Sequence, residues 1–584
     1  MADDFQETML LYPSKLPPAE QEALRVELHK AVLQLSFTSG VFHVDARKLY
    51  KVASGGVQER LAALEPVIRR ICTVAGTPGI SIGVSHGSEV IHRANYGFAD
   101  VESQTPTMSE TVYRIGTLAK ALTASVVGVL VDQGTVDWNT PIRDILPDFQ
   151  SCSTTVTENL TIVDLLSHRT GLVRSNFWWQ GAEGALLLDK SDLLKVYKEL
   201  PPVGRGSRAD WAYSNWGYAL VGEVIERLSG ISFGRFLEEN LLRPLGMSHT
   251  SFDAPRTNDP GLAKPYAAMD DASIHRMSFS PVYDGTIMAP AMGGRSSADD
   301  LLRYSMALWA ARRDESSGNK AGVVRYAVKQ LSGHIFTASG TLEESYAFGF
   351  YRTQLPNMML GMGWNSIYVD KMPTLVPRGH AGPVIAHGGS LPGYHVAMAL
   401  LPELDSNVVG CTNSIALRDV SGWVSLAVLE ATIETPSPSD YVRLASEAAQ
   451  FKARNVDRLE AALERQSGFR VSHKPLDQYV GSYRHASLSW FVNIRLKCEG
   501  AFEVAFMGLE SQTWTLKHHE ADTFLWLTSR EEQAKRGRMT TYPLVANHLN
   551  LIFGEDASGH VTELCWPHKA GLQMDQQCFV KSLL

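Results

Sequence analysis

A threonine and a lysine lie three residues apart where an apolar helix is predicted to begin. Thr117 and Lys120 stand in IGTLAKALTA, and residues at this spacing share one face of a helix. A buried, neutral amine can take the proton of a neighbouring hydroxyl, and the N–H groups of a helix start stabilise a developing oxyanion. The pattern fits an activated hydroxyl nucleophile, but a capping threonine followed by a solvated lysine has the same spacing and is the more common case.

Tyr213 and Asn215 stand in the segment WAYSNWGYAL, just before a second predicted helix. A tyrosine near a lysine can lose its proton more readily and then act as a base. An asparagine amide can hold an acyl carbonyl. Taken alone, the pair fits a packing aromatic and a helix cap equally well.

A third candidate group lies in a strand-like segment, PVIAHGGSLPGYHVAMALL at 383–401. It contains His387, Gly388, Gly389 and Ser390. Glycine inside a strand often permits a close approach of a ligand to the backbone. The structural alternative is a bulge beside an ordinary histidine.

The elements that must position these groups indicate an α+β fold. Helical periodicity at 58–74 is followed by two strand-like segments at 79–100, and apolar helices are predicted at 118–133 and 216–228. Strand patterns return at 383–401. This order predicts an antiparallel sheet completed by both ends of the domain and flanked by helices, with a largely helical middle part.

Composition along the chain divides it into four segments. Residues 1–57 are predicted to be an N-terminal extension and 58–433 the catalytic domain. A Pro/Ser-rich break, ETPSPSDY, opens a linker with a helix at 434–474. Short strand-like segments divided by turns then predict a small all-β barrel at 475–584.

The three motifs, in this order, resemble those of the serine β-lactamase and penicillin-binding-protein family, which includes class C β-lactamases, DD-peptidases, esterases and transesterases. That family has S-x-x-K, Y-x-N and K-T-G or H-x-G. Segments LLSHRTGL, GGRSSADDL and RPLGM also resemble the family, over roughly 58–432. The resemblance implies a β-lactamase-like fold, and the C-terminal segment is similar to the lipocalin-like domain attached to such hydrolases.

The resemblance also implies a role for each matching position. Thr117 is then the nucleophile and Lys120 its activating partner, while Tyr213 is the general base and acid. Asn215 orients the acyl side of the substrate, and His387, where many relatives have lysine, supports the Tyr213 and Lys120 network. The backbone N–H groups of Thr117 and Ser390 form the implied oxyanion hole, beside Gly388 and Gly389.

Thr117 departs from the family pattern, because the family nucleophile is serine. A threonine hydroxyl can attack, but its methyl group restricts χ1 and crowds the approach. Three interpretations stay open: slower or redirected acyl transfer, non-covalent acid–base chemistry such as elimination, isomerisation or cyclisation by the remaining groups, and binding without catalysis.

Aromatic residues adjoin the motifs and suggest an apolar or polyketide-like ligand. Those expected to bind substrate are Trp178, Trp179, Trp216 and Tyr394. The expected partner is a small-molecule acyl substrate, with a carrier-bound thioester as one donor. Such chemistry is known in intracellular family members such as lovastatin acyltransferase and implies a role in specialised metabolism.

Bulk properties exclude several other classes of function. A net charge of −8 in 584 residues, without a basic run, argues against nucleic-acid binding. The N-terminus lacks the features of a signal peptide, and the most apolar stretch, at 121–131, is too short to span a membrane. We therefore expect a cytoplasmic protein that does not bind membranes. No cofactor motif and no metal-ligand spacing is present.

Six cysteines are scattered through the chain without a CxxC pair. This spacing favours free, mostly buried thiols in a reducing compartment. The residues are Cys72, Cys152, Cys411, Cys498, Cys565 and Cys578.

Overall fold

The computed structural model describes residues 56–255, 259, 261–320, 322–379, 382–466, 474–497, 500–537, 549–567 and 577–582. The predicted N-terminal extension, 1–57, lies outside these residues except for its last two. Cys498 also lies outside them.

The described part of the chain alternates helices with strands. Its helices are α1 (Val57–Ala62), α2 (Glu65–Ala75), α3 (Ala119–Asp132), α4 (Ile142–Ile145), α5 (Thr154–Asn159), α6 (Ile162–Leu166), α7 (Leu193–Glu199), α8 (Asn215–Ser229), α9 (Phe233–Leu237), α10 (Ala289–Met292), α11 (Ala298–Ser316), α12 (Ala327–Leu331), α13 (Val420–Thr432), α14 (Tyr441–Ala453), α15 (Asn455–Gln466) and α16 (Arg530–Lys535). Its strands are β1 (Gly79–His86), β2 (Glu89–Asp100), β3 (Thr105–Pro106), β4 (Val112–Arg114), β5 (Tyr266–Ala268), β6 (Ile274–Arg276), β7 (Arg295–Ser297), β8 (Ile335–Phe336), β9 (Glu344–Tyr346), β10 (Tyr351–Gln354), β11 (Pro383–Leu391), β12 (Tyr394–Leu401), β13 (Ser406–Thr412), β14 (Ser414–Ile415), β15 (Gly481–Arg484), β16 (Phe491–Leu496), β17 (Phe502–Phe506), β18 (Thr513–Thr515), β19 (Lys517–Glu520), β20 (Thr523–Leu525), β21 (Asn550–Glu555), β22 (Val561–Trp566) and β23 (Gln577–Ser582).

The sheet of the first domain has nine strands in the order β3-β2-β1-β13-β12-β11-β10-β9-β8. Its neighbouring strands pair antiparallel, and strands from both ends of the domain meet at its centre, where Val84 of β1 pairs with Val408 of β13. This arrangement confirms the predicted α+β fold, in which the two ends of the domain complete one antiparallel sheet.

Helices cover both faces of this sheet. Successive strand residues point to opposite faces, so Val408 packs in a core with α1, α2, α13 and α14. Its neighbour Val409 packs in the larger core that contains α3 and α11. Because both faces are covered, β11 to β13 are buried at almost every position.

Helix α3 carries the Thr117–Lys120 motif into the protein interior. Twelve of its 14 residues are buried, as expected for a helix that is apolar on all sides. Its polar groups have internal partners: the Thr123 hydroxyl donates to Pro290 O at 2.8 Å, and the Ser125 hydroxyl donates to Gln330 Oε1 at 2.9 Å. Lys120 therefore lies inside the fold, out of reach of bulk water.

The C-terminal domain is a nearly closed antiparallel barrel of nine strands in the order β18-β17-β16-β15-β23-β22-β21-β20-β19. Its core is rich in aromatic rings that contact one another. Phe506 and Trp566, for example, are stacked with ring centroids 4.9 Å apart. The predicted all-β barrel is confirmed, whereas the likeness to lipocalins stays a prediction.

The predicted linker at 434–474 contains helices α14 and α15. Helix α14 packs against α2, and its Leu444 and Ala448 are buried in the same core as Ile68 and Ile71 of α2. This part of the segment therefore belongs to the body of the first domain, and the predicted domain boundaries stay predictions.

The expectation of free cysteines is wrong for one pair. Cys565 of β22 and Cys578 of β23 pair directly across the two strands and form a disulfide. Their separation of 13 residues gives no recognisable motif, because the antiparallel register and not the sequence spacing brings them together. Cys72, Cys152 and Cys411 are free thiols. Among the described helices, none is both long and apolar enough to cross a membrane.

Candidate active site

A cleft opens where the start of α3 meets β11. The residues that line it are Thr117, Arg174, Asn176, Tyr213, Tyr351, Gly361, Gly363, Trp364, His387, Gly388, Gly389, Ser390 and Asp419. All three motifs predicted from the sequence contribute to this lining, with Lys120 and Asn215 directly behind it.

Thr117 lies in a 3₁₀ turn, Gly116–Leu118, that leads into α3. Its hydroxyl donates a hydrogen bond of 2.7 Å to Gly388 O of β11. The turn is pressed against the strand: a Cβ atom on Gly116, which has φ +53°, would lie 2.6 Å from Ser390 N. A Cβ atom on Gly389 would lie 2.1 Å from Ile115 O. The glycines of β11 therefore allow close packing of backbone on backbone beside Thr117.

Lys120 is completely buried, and its amine has two acceptors. Nζ donates to Asn215 Oδ1 at 2.7 Å and to Ala291 O at 2.9 Å. It also lies 4.9 Å from the centroid of the Tyr213 ring. Burial lowers the pKa of Lys120 well below its usual value, and the positive charge of Arg174 lowers this pKa further. A neutral amine with both N–H groups engaged keeps one lone pair that can accept a proton.

His387 is a buried, neutral histidine. Burial lowers its pKa to about 3, and the neighbouring Lys120 acts in the same direction. Its Nδ1 lies 2.6 Å from Gly388 O, and since a carbonyl only accepts, Nδ1 carries the proton. Nε2 is then a lone-pair acceptor, and it has no hydrogen-bond partner among the described atoms. The imidazole is therefore uncharged near neutral pH.

Tyr213 is half-buried in the segment that leads into α8. The next residue, Ser214, caps α8 and donates its N–H to Nδ1 of His168 at 3.1 Å. This bond places the His168 proton on Nε2, which contacts the Tyr346 hydroxyl at 3.2 Å. The His168 ring lies 4.2 Å from the Tyr213 ring, and burial holds the pKa of His168 well below its usual value. His168, in the LLSHRTGL segment, therefore supports the Tyr213 loop.

Asn215 joins Lys120 to the opposite side of the cleft. Its Oδ1 accepts from Lys120, and its Nδ2 donates to Asn176 Oδ1 at 3.2 Å. Asn176 also accepts from the indole N–H of Trp179 at 3.2 Å. The result is a continuous chain of polar contacts from the amine to the loop at 174–179.

Four aromatic residues predicted to bind substrate do not line the cleft. Trp178, Trp179, Trp216 and Tyr394 are each at most 1% exposed and lie outside the lining. They pack behind it: the Trp216 indole donates to Arg174 O at 2.9 Å, and the Tyr394 hydroxyl donates to Ala263 O. A position next to a motif does not show that a side chain faces the cleft, because neighbouring residues of a helix or strand point in different directions.

Seven residues that line the cleft were not selected from the sequence. Arg174 and Asn176 come from one loop, and Tyr351 comes from β10. Gly361, Gly363 and Trp364 come from the segment between β10 and β11, and Asp419 comes from the cap of α13. Asp419 Oδ1 accepts from Gly422 N at 2.9 Å and Ser421 Oγ at 2.7 Å. Only Arg174 had a usable signal, since it lies two residues after the LLSHRTGL segment. The oxyanion role of Thr117 N and Ser390 N stays a prediction.

Comparison with known families agrees with this arrangement. A family model described as "Beta-lactamase" matches residues 65–422, and one described as "Domain of unknown function (DUF3471)" matches residues 469–581. The second match covers the barrel and assigns it no activity.

Over the aligned residues, about a quarter of the positions are identical between the chain and its curated relatives. It is 27% identical to "Unguisins hydrolase ungD'" of Aspergillus campestris over 358 residues, which is 59% of the chain and 60% of that protein. It is 28% identical to "D-alanyl-D-alanine-carboxypeptidase/endopeptidase AmpH" of Escherichia coli over 349 residues, 56% of the chain and 77% of that protein. A "Beta-lactamase" of Providencia stuartii is 27% identical over 248 residues, 41% of the chain and 58% of that protein.

A solved structure has the same fold. It is an octameric penicillin-binding protein homologue from Pyrococcus abyssi, with a TM-score of 0.52 and 18% sequence identity. The match covers 89% of this chain and all of the other. At this identity the likeness concerns the fold alone.

Proposed function

The chain belongs to the beta-lactamase family, and on that premise we propose that it is a hydrolase or acyltransferase that uses Thr117 as its nucleophile. The single observation that supports this most is the state of Lys120. A buried amine with a lowered pKa, both N–H groups engaged and one lone pair left, lies one helical turn from a hydroxyl in an open cleft. That is the arrangement needed to activate a weak oxygen nucleophile.

The proposed reaction has two halves. Thr117 Oγ1 attacks the acyl carbon of the substrate, and its proton passes to Lys120 Nζ. The C–O or C–N bond to the leaving group then breaks, and Tyr213 supplies the proton that this group takes up. In the second half, water or an acceptor alcohol attacks the acyl-threonine ester and gives its proton to the Tyr213 phenolate. The ester C–O bond then breaks, and the proton held by Lys120 returns to Thr117 Oγ1.

The Thr117 hydroxyl must change partner before it can react. It donates to Gly388 O, and a carbonyl oxygen cannot act as the base. The hydroxyl therefore has to turn towards Lys120 or Tyr213, a motion that the β-branched side chain restricts. We expect Thr117→Ser to react faster than the wild type, because serine lacks the methyl group.

The same hydrogen bond favours a second candidate function. If Thr117 stays bonded to Gly388, Lys120 and Tyr213 can still move protons on a substrate that never becomes covalently attached. An elimination, isomerisation or cyclisation then replaces acyl transfer.

We propose a small substrate with an apolar acyl part and a polar group. Tyr213, Tyr351 and Trp364 offer aromatic surface in the cleft, while Arg174 and Asp419 offer charge. The names of two curated relatives, a hydrolase of unguisins and a carboxypeptidase/endopeptidase, support hydrolysis of an acyl bond over transfer.

The experiment is to incubate the protein with a fluorophosphonate probe and follow the intact mass. Wild type and Thr117→Ser should gain one phosphonyl group, and Thr117→Ala should gain none. Ser390→Ala is the matched control, because Ser390 carries the other aliphatic hydroxyl in the lining and its removal should leave the adduct in place.

Turnover separates the two candidate functions. An adduct that persists in Thr117→Ala contradicts the proposed nucleophile. If Thr117→Ala also keeps full turnover of a metabolite that Lys120→Ala no longer converts, the acid–base function replaces acyl transfer.

A further inference from the structure

One side of the cleft is formed by a long irregular loop, residues 174–192, which we call the wall segment. It carries Arg174 and Asn176 into the lining. Two of its non-glycine residues have left-handed backbone angles, Ser175 with φ 39° and Glu183 with φ 56°. Such conformations are costly and persist only where the surroundings hold them.

The surroundings that hold the wall segment belong to the C-terminal barrel. Gln512, which is completely buried, pairs with both backbone groups of Ala182: Oε1 accepts from Ala182 N at 2.6 Å, and Nε2 donates to Ala182 O at 3.2 Å. The Gln512 amide therefore makes the two hydrogen bonds with Ala182 that a neighbouring strand would make in a sheet. A Cβ atom on Gly181 would lie 2.7 Å from Gln512 Oε1, so the loop is fitted closely around this side chain.

Further contacts attach the same segment to the barrel at other points. The Trp490 indole donates to Trp178 O at 2.9 Å, and the Ser489 hydroxyl donates to Asp192 Oδ2 at 2.8 Å. Glu183 N donates to Arg536 O. The Trp178 ring meets the His485 ring edge-on at 5.4 Å. Trp178, predicted to bind substrate, is instead an anchor between the two domains.

We propose that the C-terminal barrel is a positioning element of the active site, and that Gln512 is a positioning residue for the cleft. The path from barrel to amine is continuous. Gln512 fixes Ala182, the wall segment fixes Asn176, and Asn176 contacts Asn215, whose amide oxygen accepts from Lys120. Its effect on catalysis rests on the proposed function, whereas its effect on the wall segment does not.

The first test measures backbone hydrogen exchange of the full chain by mass spectrometry. In Gln512→Ala, peptides covering 174–181 should exchange about tenfold faster, because two buried backbone groups of the loop lose their partners. Gln533→Ala is the matched control: Gln533 is also buried, but its amide donates to Thr528 O within its own segment. If faster exchange is confined to Ala182 and Glu183, or is equal in the control, the proposal is wrong.

The second test separates this proposal from the proposed function. Fluorophosphonate labelling of Thr117 should slow in Gln512→Ala and stay unchanged in Gln533→Ala. Unchanged labelling in Gln512→Ala overturns the link from the wall segment to Lys120. If the wild type does not label at all, the proposed nucleophile fails, and the exchange experiment still decides whether the barrel holds the wall segment. If Gln512→Ala loses its thermal unfolding transition and therefore does not fold, Ser489→Ala replaces it. This variant removes the hydrogen bond from Ser489 to Asp192, a second attachment of the wall segment, and is tested by the same exchange measurement.

Discussion

The two sides of the cleft are held in place by different kinds of contact. The motif side consists of the turn before α3 and of strand β11. Because Gly389 has no side chain, Ile115 O lies close to the position that a Cβ atom would occupy. The loop side consists of the wall segment and of residues 361–364, neither of which belongs to the central sheet. It is held largely by side chains that are distant in sequence, such as Gln512. The proposed nucleophile, Thr117, therefore lies on the side fixed by regular elements, and Arg174 and Asn176 lie on the other.

The largest effect is expected from removing the amine on the motif side. Lys120→Met should slow fluorophosphonate labelling by about 10³-fold, since general-base assistance is worth about 10² to 10⁴. Lys452→Met is the matched control, because Lys452 of α14 is also buried, with its pKa lowered well below the usual value by burial and by Arg418 and Arg530. It does not line the cleft. Equal labelling rates in the two variants would remove Lys120 from the mechanism.

A methyl group on β11 should affect the two sides unequally. In Gly389→Ala the new Cβ meets Ile115 O at 2.1 Å, so the strand and the Thr117 turn must separate. In Gly388→Ala it meets Met362 O at 2.7 Å, which is a smaller overlap with a segment outside the central sheet. Overpacking should cost about 3 kcal/mol in the first variant and about 1 kcal/mol in the second, measured by denaturant unfolding. Labelling should fall only in Gly389→Ala, and the reverse order would contradict this division.

The same division explains what could be predicted from the sequence. The motif side was predictable, because short patterns such as TLAK and HGG encode both the chemistry and the regular element that carries it. The antiparallel sheet and the barrel followed from short strand-like segments divided by turns. Both predictions were confirmed.

The loop side was not predictable, because nothing local to 174–192 indicates that Gln512 pairs with Ala182. Trp178 and Trp216 were assigned to the substrate from their position beside a motif, but burial decides such cases and depends on the whole fold. The disulfide was missed for the same reason, since strand register brings Cys565 to Cys578.

His387 should make the motif side sensitive to acid. Its pKa is about 3 in the folded protein and about 6.5 when unfolded. Between these values the unfolded chain binds a proton that the folded chain does not, so the free energy of unfolding falls as the pH falls. The slope is at most about 1.4 kcal/mol per pH unit. His387→Gln should lose this slope between pH 6.5 and 4.5 in denaturant titrations, while the matched change at exposed His560 should keep it. Parallel curves for all three proteins would exclude this contribution.

The smallest effect is expected on the loop side, at Trp364. This residue is half-buried in the lining and offers one aromatic face to a ligand, and an aromatic contact is worth about 1 kcal/mol. Trp364→Ala should therefore slow labelling by a phosphonate with a bulky aromatic group about fivefold, and labelling by a methyl phosphonate hardly at all. Such a ratio assigns Trp364 to substrate preference and leaves the proton transfers to the motif side. If both probes slow equally, the residue supports the reactive groups themselves, and the two sides of the cleft are not separable.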